Sequence, residues 1–209
     1  SFHTVNAGEI AVVKQLGVIV GTETPGTYFD FWLTRNYEKY DAKVQQVEIN
    51  TAAYTFDSQP MDISMTVQFQ IRQDNVQDIA LNYGGLEALT NRIQSVAIER
   101  TKSELSKYQA EKLIEQRNTI SAAVEQAISA AIGDKYYVTF NSAVLTDINF
   151  SDAFEKAVEA KMMAQQEKLQ AEYENEKQKE KADTDLYVAQ QEAKALLAKA
   201  QAEAEAEEK

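Results

Sequence analysis

Every glycine and proline in this chain lies before residue 134. The seven glycines are Gly8, Gly17, Gly21, Gly26, Gly84, Gly85 and Gly133, and the two prolines are Pro25 and Pro60. Glycine and proline are the residues that punctuate a chain with turns. Asp134 to Lys209 has none of them. The beginning therefore reads as a compact fold with many turns, and the end reads as one long helix.

Within the punctuated part, short extended segments come first. Glu9 to Gln15 carries Ile10, Val12 and Val13, Gly17 breaks it, and Val18 to Val20 resumes. Thr24-Pro25-Gly26-Thr27 has the form of a turn, with proline presetting φ and glycine supplying a positive φ after it. Val44 to Asp57 is a further extended stretch. Asp57-Ser58-Gln59-Pro60 then suggests a hairpin into the clearest strand. There Met61, Ile63, Met65, Val67, Phe69 and Ile71 alternate with Asp62, Ser64, Thr66, Gln68, Gln70 and Arg72. Strict period-two alternation predicts one buried and one wet face.

The period then becomes helical. Asn75 to Asn82 reads as a short helix stopped by Gly84-Gly85, and Leu86, Leu89, Ile93, Val96 and Ala97 keep helical spacing. Leu113, Ile120, Val124, Ala127, Ile128 and Ala131 form one stripe that Gly133 ends. Val138, Phe140, Val144, Ile148 and Phe150 alternate approximately, as a late strand joining the sheet would. Strands, helices and a strand in this order give α+β architecture. The expected fold has a mixed or antiparallel sheet with packed helices, followed by a long C-terminal helix. The expected divisions are residues 1–74 (mostly strands), 75–151 (helices and the late strand) and 152–209 (the helix).

Asp152 with Glu155 fits a capping box at the start of that helix. Phe154, Val158, Met162, Leu169 and Tyr173 make an apolar seam. Glu174 to Asp185 then carries Ala182 and nothing larger, before Leu186, Leu196 and Leu197 return among alanines. A sustained heptad needs large apolar residues every turn or two. Two readings stay open. One is a solvated single helix held by spaced charges such as Lys181 with Asp185 and Glu176 with Lys179. The other is a helix packed against identical neighbours, because packing supplies most of a helix's stability. In the second reading Phe154, Val158, Met162, Leu169, Tyr173, Lys177 and Glu180 are the oligomerisation residues.

Composition narrows the chemistry. A net charge of -12 with no dense basic block argues against nucleic acid, which needs clustered Lys and Arg. There is no cysteine, so disulfides, thiolate metal sites and cysteine nucleophiles are excluded. His3 is the single histidine and sits at a chain end, where a solvated side chain is the expectation. No phosphate-binding loop, nucleophile motif or isolated acidic pair occurs. Asp57 and Asp62 read as turn and surface residues, and Asp183 and Asp185 as solvated. No catalytic, cofactor-binding or metal-ligating residue is nominated. No apolar run reaches the roughly 18 residues of a membrane span. The aromatic cluster Tyr28, Phe29, Phe31, Trp32 and Leu33 has two readings, core packing or contact with a membrane interface. Neighbouring residues of a strand face opposite ways, so these side chains cannot all enter one core.

Several stretches resemble the SPFH (stomatin–prohibitin–flotillin, band 7) family. Val5-Asn6-Ala7-Gly8-Glu9 with Val12-Val13 and Leu16-Gly17 is similar to the family's opening. The Pro25-Gly26-Thr27-Tyr28-Phe29 step, Tyr40-Asp41-Ala42-Lys43, Val47-Glu48-Ile49 and Thr55-Phe56-Asp57-Ser58-Gln59 are similar to its centre. Ile148-Asn149-Phe150-Ser151-Asp152-Ala153-Phe154, running into Ala157-Val158-Glu159-Ala160-Lys161 and Ala164-Gln165-Gln166-Glu167-Lys168, resembles prohibitins in particular. Where the family often has a second proline, this chain has Phe31-Trp32-Leu33-Thr34.

The resemblance implies a non-enzymatic membrane scaffold without cofactors. It implies a ring or cage of like or paralogous subunits and contact with membrane lipid. It also implies association with membrane-bound AAA proteases and a single-pass anchor upstream of Ser1, in a bacterial or mitochondrial inner membrane. A helical stalk or tether of two or three copies is the alternative. A hydrolase using acidic residues is the third class, and it has no motif behind it.

Overall fold

The computed structural model describes residues 1–30 and 34–207. It forms two units, Ser1–Ser151 and Asp152–Lys209. The first unit holds eight strands: β1 (Phe2–Val5), β2 (Glu9–Gln15), β3 (Val18–Glu23), β4 (Gly26–Phe29), β5 (Arg35–Asp41), β6 (Gln45–Tyr54), β7 (Pro60–Ile71) and β8 (Val138–Asn149). Four helices lie between β7 and β8: α1 (Val76–Tyr83), α2 (Leu86–Leu105), α3 (Ala110–Glu115) and α4 (Arg117–Ala131). The strands make a ribbon β1–β4, a sheet β3–β2–β5 and a sheet β6–β7–β8, with antiparallel pairing throughout. This is the expected α+β class. Because β8 pairs with β7, strands from both sides of residue 74 share one sheet.

The alternation in β7 becomes its burial. Met61, Ile63, Met65, Val67, Phe69 and Ile71 are each at most 3% exposed. Leu89, Ile93 and Val96 of α2 and Ile120, Val124 and Ile128 of α4 are buried as well, with α2 packed on β6 and α4 on β8, the strands on either side of β7. Burying one such side chain contributes roughly 1.5–3 kcal/mol. A slip of one residue would turn the whole row to solvent, so this pattern pins the register.

β8 departs from the expected alternation. Ala143 and Leu145 are buried, whereas Val144 is exposed. Two irregularities in the β7–β8 ladder are responsible, one between Ser64 and Met65 and one between Gln68 and Phe69. Each extra residue swaps the inward and outward faces of β8, so parity changes after Phe140 and again before Ile148.

One further expectation is corrected. The stripe from Leu113 to Ala131 spans two helices, because Gln116 (φ −118°, ψ 33°) interrupts them. Spacing alone could not show this break, since Leu113 and Ile120 stay in phase across it. Gly26 has the expected positive φ (158°) and opens β4. Gly84 behaves as expected. It ends α1 with φ 81° and its N–H donates to the Ala80 carbonyl at 3.1 Å.

Asp57 has a larger role than a turn residue. Its carboxylate accepts a hydrogen bond from the Thr55 hydroxyl (2.5 Å) and another from the backbone N–H of Ala110 (3.1 Å). It thereby caps α3 from the distant β6–β7 hairpin. The bond from Thr55 and the one from Ala110 hold the Asp57 carboxyl below its ordinary pKa. A depressed folded pKa stabilises the fold above the ordinary carboxylate range, and that contribution disappears as pH falls through the lowered value. Asp57→Ala is expected to cost about 1 kcal/mol at neutral pH, as lost caps commonly do. Asp57→Asn should flatten the acid limb of the stability profile. Urea midpoints measured between acidic and neutral pH check both.

The second unit is α5 (Asp152–Glu207), 56 residues or about 84 Å long. It begins at Asp152 itself, so the capping position falls on Ser151. Asp152 and Glu155 sit in the first turn, where negative charge suits the helix's positive end.

Candidate interaction surfaces

His3 is not a solvated terminal residue. It lies within β1, opposite Tyr28 of β4, with a side chain 15% exposed. Its Nε2 bonds the Glu23 carboxylate at 2.6 Å and its Nδ1 bonds the Asp30 carboxylate. The ring also stacks on Tyr28 (5.4 Å between centroids) and lies against Tyr37 of β5 (3.8 Å). One imidazole thus ties the β1–β4 ribbon to the β3–β2–β5 sheet. Burial by itself would lower its pKa, but the bonds to Glu23 and Asp30 outweigh this, so His3 titrates above its ordinary value.

A raised folded pKa stabilises the fold fully below the ordinary histidine pKa. The contribution is lost as pH rises through the raised value. His3→Gln is expected to abolish a decline in stability as pH rises above the ordinary histidine pKa. Thermal midpoints of both proteins across that range are the check, and parallel profiles would refute the role.

The ribbon has a second face. Phe2 pairs with Phe29 across the strands, their rings edge to face at 5.1 Å, and the two are 70% and 58% exposed. Of the aromatic cluster, Tyr28 turns onto His3 and its hydroxyl bonds the Thr24 carbonyl, whereas Phe29 faces outward. Phe31, Trp32 and Leu33 lie outside the described residues. Phe2 escaped notice in the sequence because β1 is only four residues long. Its pairing with Phe29 is visible only once the ribbon forms.

On α5, Val158 is the only buried residue among those described, and Phe154 is half-buried. Met162, Leu169 and Tyr173 are exposed, as are Leu186, Tyr187, Leu196 and Leu197 further along. Lys177 and Glu180 are exposed, and Lys181 with Asp185 and Glu176 with Lys179 form no ion pair within 4 Å. Met162, Leu169, Leu186, Ala193, Leu197, Ala200 and Ala204 all fall on a and d positions of a single heptad frame. Glu172, Glu176, Lys179 and Asp183 fall on the same frame between the two apolar stretches. The seam therefore continues in phase through a charged interval, a relation hidden when only large apolar residues are followed.

Among the described residues no group of three or more His, Asp or Glu side chains is placed to hold a metal ion. No helix there is long and apolar enough to cross a membrane.

The model of the SPFH domain / Band 7 family matches residues 3–207. The chain belongs to the SPFH domain / Band 7 family. Relatives of this SPFH chain include Prohibitin-4, mitochondrial, of Arabidopsis thaliana, 27% identical over 169 residues, covering 80% of this chain and 60% of the relative. Prohibitin-2 of Mus musculus is 29% identical over 136 residues, 64% of this chain and 44% of the relative. Mitochondrial prohibitin complex protein 1 of Caenorhabditis elegans is 26% identical over 175 residues, 83% and 63%. The SPFH chain thus spans about half the length of these curated relatives.

Proposed function

We propose that this SPFH chain is a non-enzymatic membrane scaffold that assembles side by side into a large ring or cage. What carries the reading is α5. A helix of 56 residues with one buried side chain gains little from its own unit and exposes a row of large apolar groups. Such a helix is stabilised by neighbours. The small alanines of the heptad frame allow close approach, and closure of a ring leaves no unpaired helix edge. Met162, Leu169 and Leu186 are the main contacts, with Tyr173 beside them and Lys177 and Glu180 adjusting register. Phe29, with Phe2, supplies the aromatic contact to lipid near an anchor upstream of Ser1. The scaffold's clients in this reading are membrane proteins, among them a membrane-bound AAA protease.

The test is mass measurement on the full-length protein extracted in mild detergent. Particles of many subunits are expected. A particle of two or three copies would favour the stalk reading, and a monomer would end both.

A further inference from the structure

Among the described residues of Ser1–Ser151, the sheet β6–β7–β8 has a helical layer on one face only. Thr101 of α2 reaches the Met65 sulfur at 3.4 Å, and α4 lies along β8, so both helices cover the face that holds the Met61–Ile71 row. The opposite face is open. Its side chains are tied flat by hydrogen bonds from Gln68 to Gln46 (3.1 Å) and from Ser64 to Asn50 (2.9 Å). Its charges are acidic. Glu48 and Asp62 are exposed and form no ion pair among the described residues, and Asp147 lies 3.9 Å from Arg117. Val144, 51% exposed, adds an apolar point.

The outer side of the helical layer has the complementary character. A hollow of about 640 Å³ lies between α2 and the turn after α4, lined by Arg92, Glu99, Arg100 and Lys135 among others. Beyond Arg100 it continues into a second hollow of about 320 Å³. Of the acids in these hollows, Asp134 pairs with Arg72 and Glu104 with Lys107 at 2.9 Å, and Glu99 forms no ion pair among the described residues. Arg92 and Arg100 form no ion pair among the described residues, and Lys135 sits over the Tyr136 ring. The free charge is therefore mainly positive, on a chain whose net charge is -12.

We propose that the open acidic sheet face of one copy seats on the basic α2–α4 hollow of the next. This rests on the assembly reading above and names a second interface for it, separate from α5. The two surfaces lie on opposite sides of one α/β layer pair, so a single contact repeated head to tail propagates around a ring. It also gives the bare sheet face the second helical layer that such faces commonly acquire. The exposed ion pairs, Glu48 and Asp62 against Arg92 and Arg100, act mainly on partner choice and register.

Charge swapping tests the contact in full-length protein, with particle mass followed against concentration. E48K with D62K, and separately R92E with R100E, should each move the assembly midpoint to at least tenfold higher concentration. All four substitutions together should restore it. The sites are exposed, and unchanged thermal midpoints show that the fold survives. Wild-type assembly in either double variant, or no recovery in the quadruple one, overturns this interface and leaves the α5 reading standing. A wild-type protein that never forms large particles overturns both.

Discussion

Replacing Leu169 and Leu186 by aspartate is expected to dissolve the large assembly while leaving Ser1–Ser151 folded. Both leucines lie on the heptad frame of α5, on either side of the charged interval, and are 66% and 59% exposed in the single chain. If neighbouring helices bury them, each contributes roughly 1.5–3 kcal/mol per contact, and the contact recurs at every subunit. Aspartate removes that gain and places a charge where water is excluded, which costs more. The alanines at Ala193, Ala200 and Ala204 bury too little surface to compensate. Particle mass in mild detergent should fall to single subunits or small oligomers. The helical circular dichroism of the tail should fall with it, because a helix of this composition depends on packing. Gln170→Asp lies off the frame and serves as the control, with mass expected to stay unchanged. Intact particles in the double leucine variant would show that α5 is not the packing element.

Phe69→Ala is expected to cost about 3–5 kcal/mol of folding stability, as truncation of a buried aromatic ring commonly does. Phe69 is fully buried near the C-terminal end of β7, and β7 is the middle strand of its sheet. The lost side chain leaves a cavity bounded by two strands and a helical layer that are hydrogen-bonded in place and cannot collapse into it. Domains typically have only about 5–15 kcal/mol in total, so roughly a fifth or more of the stability is at stake. Gln70→Ala, one residue along on the wet face, should stay within about 0.5 kcal/mol. Urea unfolding followed by tyrosine fluorescence measures the two. Equal midpoints would mean that the β7 row does not form the core.

The legible parts of this protein were those whose pattern is local and regular. Met61 to Ile71 declare a strand and its buried face because side chains alternate along any strand. Leu89, Ile93 and Val96 declare a helix face for the corresponding reason. The unbroken run after Asp152 declares a long helix because nothing in it stops one. The interaction surfaces were less legible. β5, Arg35–Asp41, has no apolar alternation to announce it and exists because β2 offers its edge over seven paired residues. Histidine at position 3 looks like an end residue until Glu23 and Asp30 are brought to its two nitrogens from 20 and 27 residues away.

By itself, then, the sequence determined the class of fold, the register of the central strand, the long helix and the family, since each follows from periodicity or from the order of short motifs. Tertiary structure alone decided which residues meet. It placed two bulges that invert β8 twice and broke one apolar stripe into α3 and α4 at Gln116. It set Phe2 beside Phe29 and Asp57 at the start of α3. It also left one face of the β6–β7–β8 sheet bare, opposite a basic hollow on its covering helices. The physical reason is common to all of these. Periodicity records how a residue faces its own element, whereas ion pairs, remote caps and open faces depend on which elements pack together, and spacing along the chain does not encode that.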